Sequence, residues 1–493
     1  MAARGGRGTV PRMEQARRSR SGSWTLGITS TLVTTLGLLG CGSSGTTSGN
    51  ARDGGGGGHL TPDGGTMDAP STSTNSGEAS VDGGFCNGSG PVVQLPGSNG
   101  SYSECTSQIA SGLFENALCT CDDAHIAGYL HTTSFNSLAS ADGGNGATGA
   151  AVGINNTFDV SAGYTQVGGS LSIAGSSSVA FIGYIETDGD FRLGGAGTIP
   201  GYTKVGRNAW LEGNFTDLGP TDISGDLHHA GSVTAIPLSV SGSNTSGPVS
   251  VTPPCPCAAS DILDVGAIVA QGAANNDDSA AGITPSSWTN VLVDTTVTLP
   301  CGSYYLDSIQ IGGSLTLNVT GRVALFVGND ITVIGNLQVK LGPTAQIDIF
   351  ITNDLNLVGL AVFGDKSRPA DTRIYIGGSG NVNLVGAGEF VGNVYAPLSV
   401  VTAPGYLDVY GSIFAKDFQV PGYADFNYDS AITQIGNNCK PVTIPGECTQ
   451  CGECTNGLAC VAGKCGACTA DSDCCGQLVC TSGQCVPLYA APK

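Results

Sequence analysis

The chain is poor in charged side chains, and poorest in basic ones. Asp, Glu, Lys and Arg make up 12% of its 493 residues, about half the usual share. Lys and Arg number 19 against 39 Asp and Glu, a formal net charge of −20. Such a balance opposes binding to nucleic acid or to anionic lipid headgroups. It favours solubility and the attraction of cations. Helices on a soluble surface normally carry many Lys and Glu, so the scarcity argues against a helical protein. Gly, Ser, Thr and Asn stand in their place, the composition of β structure and turns. Enzyme signatures are also missing: there is no Walker loop, no Gly-x-Ser-x-Gly elbow and no His-Glu-x-x-His. The uncharged stretch from Trp24 to Gly40 is short for a membrane-spanning helix, which needs about 20 mostly apolar residues.

That stretch follows a basic segment with Arg17, Arg18 and Arg20, which together fit a secretory signal. It ends in Leu38-Leu39-Gly40-Cys41, which resembles the bacterial lipobox. The resemblance implies cleavage before Cys41, lipid on its thiol, and residues 1–40 as a signal peptide. Gly42 rather than an aspartate follows, which in Gram-negative lipoproteins implies passage to the outer membrane. The expected setting is therefore an outer-membrane, lipid-anchored surface protein. Residues before Arg17 read as an extended leader, with Met13 an alternative start. Without residues 1–40 the chain loses six Arg and one Glu, and its formal charge falls to −25.

Cysteine is abundant where charge is not. Nineteen cysteines suggest an oxidising compartment, and setting Cys41 aside leaves an even eighteen. Residues 42–84 are Gly, Ser, Thr, Asp and Asn with almost nothing apolar, including an unbroken glycine run at 54–58; with Cys41 they read as a flexible tether. Residues 85–160, with Cys86, Cys105, Cys119 and Cys121, read as a leading cysteine-containing region in which residues 111–118 form a short helix.

From residue 161 a repeat emerges. Leu171 and Ile173 follow Gly169, Phe191 and Leu193 follow Gly189, Ala209 and Leu211 follow Arg207, and Leu227 and His229 follow Gly225. Residues two apart point to one side of a strand, and a period of 18–20 is about one coil of a β-solenoid. A second array alternates more strongly: Leu315/Leu317, Ile331/Val333, Leu337/Val339, Ile347/Ile349, Leu355/Leu357 and Val382/Leu384. Val394, Leu407, Val409, Ile413 and Phe418 continue it. Its coil length wanders, so loops protrude, and residues 366–371 read as one. Between the arrays, Ile262, Val265, Ile268 and Val269 recur at helical spacing with Ser260 as a cap. The helix expected over 260–276 covers an end or side of the coils. The fold expected over 161–438 is an all-β, right-handed parallel β-helix (solenoid) with one covering helix; a β-sandwich is the rival.

This region resembles bactofilin-like and other polymer-forming or adhesin-like β-helices. Its latter half, about 295–430, is similar to an uncharacterised β-helical domain of bacterial surface proteins. The residues carrying that likeness are Gly392-Asn393-Val394-Tyr395-Ala396-Pro397, Gly411-Ser412-Ile413-Phe414-Ala415-Lys416 and the closing Tyr428-Asp429. Asn427 stands where that family often has His. The resemblance implies a fold and a surface setting, not a reaction.

Residues 439–493 form a cysteine-rich module with an internal repeat of 20: Cys448 with Cys468, Cys454 with Cys474, Cys460 with Cys480, Cys465 with Cys485. Cys451 and Cys475 are extras. So short a stretch cannot build an adequate core, and disulfides take its place. Its spacing resembles the cysteine-rich N-terminal domain of Dickkopf proteins. Zinc on Cys448, Cys451 and Cys454 is the rival reading. Residues 86–301 and 439–485 each hold an odd number of cysteines, so full pairing needs at least one bridge between the two sets; Cys439 with Cys301, Cys255 or Cys257 is expected.

No catalytic site, cofactor or metal is expected. His228 and His229 face opposite ways on a strand. Asp122, Asp123 and His125, and Asn275, Asn276, Asp277 and Asp278, are weak metal candidates that read better as surface groups. The expected role is structural, adhesive or polymer- and cell-binding, with the lipid anchor holding the membrane, a polysaccharide or cell surface as partner, and no nucleic acid. A polysaccharide-acting hydrolase or lyase is the alternative. A row of aromatic and acidic residues in one groove would favour it, and a flat Ser/Thr/Asn face would favour binding; Tyr164, Tyr184, Tyr202 and Trp210 are the aromatics to place.

Overall fold

The structure, a computed structural model, describes residues 92–435 apart from 98–99, 140–148, 162, 180–182 and 387; in the C-terminal stretch it describes 459–461, 464–470, 473–474, 478–481 and 484–487. Cys41, the leader, the tether, Cys86, Cys439, Cys448, Cys451, Cys454 and Cys475 lie outside the described residues.

Strands of mostly three to six residues dominate the described chain. Within each array a strand pairs in parallel with those three before and three after it, so each coil has three sides. Phe191–Leu193, for example, pairs with Leu171–Ile173 below and Ala209–Leu211 above. The fold is a parallel β-solenoid of about 13 coils. The residues expected to face inward do so: Leu171, Ile173, Phe191, Leu193, Ile331, Val333, Leu355, Leu357, Leu407 and Ile413 are all buried. The exception is His229, which is half-buried with Nδ1 2.8 Å from the Gly231 carbonyl.

Corner chemistry explains the glycine-rich repeat. A Cβ on Gly219 would lie 1.4 Å from the Gly201 carbonyl oxygen, and one on Gly189 would lie 2.5 Å from Ser170 Oγ. Stacked corners come too close for any side chain. The residue after the corner then ties one coil to the next. Ser170 Oγ accepts from Asp190 N, Asp190 Oδ1 from Asn208 N, Asn208 Oδ1 from Asp226 N and Asp226 Oδ1 from Ser243 N, at 2.7–3.2 Å. Small oxygen-bearing side chains are needed here, which is why the repeat reads Gly-Ser/Asp/Asn-apolar.

The coils do not stack in chain order. The coil formed by 407–429 lies against the coil formed by 118–135 on all three sides: Ile413 pairs with Leu118, Phe418 with Ala124 and Phe426 with Thr132, all parallel. The chain therefore enters mid-rod, climbs to one end at Asn244–Ser246, returns along the side, and climbs from the other end back to the middle. One side carries an unbroken ladder of thirteen strands from Gly302–Leu306 through Leu118–Thr120 to Asn244–Ser246. At roughly 4.8 Å per strand it is about 60 Å long. The stretch 118–160, read from the sequence as a separate leading region, thus supplies the central coils; its pairing partners lie almost 300 residues away and leave no local signal.

The returning segment is a strap pinned at this seam. Cys119–Cys255 and Cys121–Cys257 are disulfides, so two of the three partners considered for Cys439 are otherwise engaged. Cys301 is disulfide-bonded as well. The strap's helix, Val265–Ala274, is shorter than expected and is capped by Asp264, whose Oδ1 accepts from Ala267 N at 2.9 Å. Ser260 instead hydrogen-bonds Asp261, and Ile262 precedes the helix. The helix covers a side of the rod, with Gly272 against Phe326. The helix expected over 111–118 is Thr106–Leu113, because Leu118–Thr120 is drawn into the sheet between two neighbours. Helices and strap make this side of the second array dry on both faces, burying Phe326, Phe350, Tyr375, Tyr395 and Phe414 and the ion pair Arg373–Asp348.

In the C-terminal module, hairpins Ala459–Val461/Lys464–Gly466 and Leu478–Thr481/Gln484–Pro487 repeat at the spacing of the cysteines. Cys468 bonds Cys480 and Cys474 bonds Cys485. Cys468, Cys474 and Cys485 gather their sulfurs, but as disulfides, not as thiolate ligands for zinc. Cys460 and Cys465 are also disulfide-bonded.

Candidate functional site

Two sides of the rod remain open, and stacking turns each outward position into a row. On the first open side one residue per coil faces out: Gln310, Thr332, Asn356, Asn383, Thr402, Gln419, His125, Asp159, Ser178, Thr198, Thr216 and Thr234, each in register with the next. All are exposed or half-exposed. Three-residue strands allow one outward position per coil, so the row is single and flat. Neighbours hold one another: Asn383 Nδ2 donates to Asn356 Oδ1 at 2.6 Å, and Thr402 Oγ1 to Asn383 Oδ1 at 2.8 Å. The row crosses the seam between Gln419 and His125, over a shallow groove of about 400 Å³ lined by Ser161, Val420 and Pro421 among others.

At the corner bounding this side stand six tyrosines in successive coils: Tyr406, Tyr423, Tyr129, Tyr164, Tyr184 and Tyr202. Tyr129 and Tyr164 stack at 4.8 Å and 9°, Tyr164 and Tyr184 at 4.8 Å and 1°. Tyr423 packs on Tyr129 across the seam at 4.6 Å. Inner rings cover one another's faces, so the ladder offers ring edges and hydroxyls rather than open faces. Burial raises the pKa of Tyr129, Tyr184, Tyr202 and Tyr406, which keeps them neutral donors. Trp210 lies apart, on the covered side's extension, between Arg192 (4.7 Å) and His228 (5.8 Å).

Two residues beyond the tyrosines runs a charged row on the second open side: Glu389, Asp408, Asp425, His131, Gln166, Glu186, Lys204 and Asp222, in register. Sequence reasoning found no coil gathering acids and a base; the stacking gathers them from different coils. Asp425 Oδ1 accepts from His131 Nδ1 at 2.8 Å across the seam, which raises the pKa of His131 against the opposing effect of burial. Asp408 Oδ1 accepts from Asn427 Nδ2 at 2.8 Å, and Asn427 Oδ1 from Thr133 Oγ1 at 3.2 Å. Burial, then Asp425 and Glu389, push the Asp408 carboxyl upward. Lys366, in the protruding loop as expected, pairs with Glu389 and lies 5.0 Å from the centre of the Tyr410 ring.

The weaker sequence candidates resolve as structural groups. Asp123 Oδ1 accepts from Asn156 Nδ2 and Thr157 N, each at 2.9 Å. His125 has Asp159 at 3.3 Å and Asp123 at 3.8 Å, on different ring nitrogens. Asp277 Oδ2 accepts from Ser303 N and Asp278 Oδ1 from Tyr305 N, both at 2.8 Å, so both carboxylates close the edge of the first coil of the second array. Asn276 donates to the Gly272 and Ala273 carbonyls. The tyrosine row was half legible: Tyr164, Tyr184 and Tyr202 recur at 18–20, but Tyr406, Tyr423 and Tyr129 join only through the seam.

The family described as a domain of unknown function (DUF7305) matches residues 260–435, the strap from its helix onward and the whole second array. No curated protein and no solved structure matches the chain. No helix among the described residues is long and apolar enough to cross a membrane.

Proposed function

We propose that the chain is an exported, lipid-anchored surface protein whose solenoid binds a linear, uncharged polysaccharide lengthwise. The observation that carries this is the twelve-residue outward row, which is polar and continuous over twelve coils. A rung spacing of roughly 4.8 Å is close to the length of one sugar residue in an extended chain, so a polymer laid along the rod meets a repeating set of donors and acceptors. The tyrosine hydroxyls at the adjoining corner add a second line of donors. The formal charge of −20 and the neighbouring acids disfavour anionic polymers. Lipid on Cys41 and the tether at 42–84 supply the base of such a display, a role supported by the sequence pattern alone.

Calorimetry of the full-length protein with neutral, anionic and cationic linear polysaccharides tests this. Neutral chains bind, with affinity rising with chain length, and a Thr198→Lys, Thr216→Lys pair weakens binding at least tenfold. Equal binding of anionic polymer, or indifference to the Lys pair, overturns the reading.

A further inference from the structure

We propose that the polymer is a flat, ribbon-like chain of equatorially linked sugars, seated with its ring faces on the glycine corner between the two open sides. The proposal rests on the polysaccharide reading above and narrows it to one geometry of chain. Two residues after each member of the polar row the chain reaches that corner, and along most of the rod the residue there is apolar. Thr332 leads to Ile334, Asn356 to Val358, Asn383 to Val385, Thr402 to Pro404, Gln419 to Pro421 and Thr216 to Leu218. Ile334, Val358, Val385 and Leu218 are 50–67% exposed, and both prolines are exposed. Exposed apolar side chains in a continuous line are unusual on a soluble surface and mark places where something binds. A glycine follows each of these six residues, and the glycines stack with no room for a side chain. A Cβ on Gly359 would lie 2.0 Å from the Gly335 carbonyl oxygen, and one on Gly128 would lie 2.4 Å from that of Gly422 across the seam. Beyond the glycines the surface is polar again, with Asn336 in the second array and the tyrosine hydroxyls from Tyr406 onward; Leu360 is the exception.

Across the rod axis the surface is therefore polar, apolar and polar in turn. A neutral sugar chain with equatorial linkages has the same section: C–H groups on the ring faces, hydroxyls along both edges, and a straight axis. Laid on the corner, its faces cover the aliphatic and proline side chains. One hydroxyl edge then meets the Thr/Asn row and the other meets the tyrosine hydroxyls. Water competes for every exposed hydrogen bond of such a row, so the covered apolar line adds affinity that the polar row alone lacks. A chain with axial linkages coils, and it leaves a straight corner after a few sugars. Charge fits as well. The positions two and three residues after the row carry no charged side chain, in a sequence with 39 Asp and Glu. The shallow groove at the seam lies on this same line, where Ala127 and Ser161 take the place of the aliphatic and proline side chains, and a ring face sinks in there. The apolar line is one side chain wide. That width suits a single polymer chain and falls short of the roughly 800 Å² per partner of a standard protein interface.

The test is calorimetry of the full-length protein with two soluble, linear, neutral polymers: a glucomannan, equatorially linked throughout, and pullulan, whose linkages are axial. Glucomannan is expected to bind about tenfold more tightly or better, with a negative heat-capacity change from the covered apolar surface. Ile334→Ser with Val358→Ser keeps Thr332, Asn356 and Asn383 in place. It weakens glucomannan binding about tenfold and makes the heat-capacity change less negative. Val362→Ser, also exposed but off the corner on the adjoining side, leaves both unchanged. Equal binding of the two polymers, or indifference to the serine pair, overturns the ribbon inference and leaves the polysaccharide reading standing. Failure of both polymers to bind overturns both. Sedimentation velocity at rising protein concentration covers a second copy as the occupant. A dimer that the serine pair dissolves, with glucomannan affinity unchanged, also overturns the inference.

Discussion

At the scale of single residues, the first array is built on a thin interior. Threonine takes inward positions where the second array has Ile and Leu. Some of these hydroxyls find carbonyls: Thr132 Oγ1 donates to Ala150 O and Thr187 Oγ1 to Gly169 O, both at 2.6 Å. Thr165 and Thr203 have no hydrogen-bond partner for their buried hydroxyls. An unsatisfied buried hydroxyl costs about 1–3 kcal/mol, and valine fills nearly the same volume. Thr203→Val is therefore expected to raise stability by about 1 kcal/mol, read as an upward shift of the urea midpoint; a lower midpoint contradicts it. The seam pair gives a pH signature. The folded-state pKa of His131 is raised, so its contribution is fully present below about 6.5 and is lost as pH rises through the folded value. The stability gap between wild type and His131→Gln is expected to be wider in urea titrations at about pH 5.5 than at about pH 8.5. An equal gap at both contradicts a charged His131.

At the scale of elements, the strap and the cysteines do the joining. Each strap disulfide closes a separation of 136 residues, so in the chain-entropy picture one such bridge is worth about 4–5 kcal/mol. The second, two residues along, adds little. Cys255→Ser with Cys257→Ser is expected to cost about 4 kcal/mol, read from the denaturant midpoint, and an unchanged midpoint contradicts the role of the strap as a clamp. In the C-terminal module the observed pairs Cys468–Cys480 and Cys474–Cys485, carried across the repeat of 20, predict Cys448–Cys460 and Cys454–Cys465. Non-reducing peptide mapping checks this, and Cys460 bonded to Cys465 contradicts it. The same map shows whether Cys301 is the partner of Cys439. Much at this scale was legible: alternation marked the inward residues, helical spacing found Val265, Ile268 and Val269, and the repeat found the hairpin module. Cap and boundary were not. Asp264 displaces Ser260 as the cap, and sheet pairing takes Leu118, the expected end of the short helix, into the strand Leu118–Thr120, because tertiary partners outweigh local preference.

At the scale of the whole molecule, the decisive feature is a stacking order that differs from the chain order. It places the start of the first array on the end of the second, so outward rows from two separate stretches of sequence become single surfaces. The polar row of twelve, the tyrosine corner and the Asp408–His131 cluster exist only because of it. A repeat in a linear sequence shows that coils stack, but the contact between 407–429 and 118–135 has no period to reveal it. This is why the fold could be read while the candidate site could not. The family match to residues 260–435 ends close to this seam, so the surface described combines that region with an array outside it.

Hydrogen exchange of the backbone, with and without a bound linear neutral polysaccharide, tests the continuous surface most directly. A surface continuous across the seam predicts protection on both sides of it at once, in peptides containing Thr402 and Gln419 and in peptides containing Asp159, Ser178 and Thr198. Protection confined to one array, or to the covered side under the strap, would contradict it.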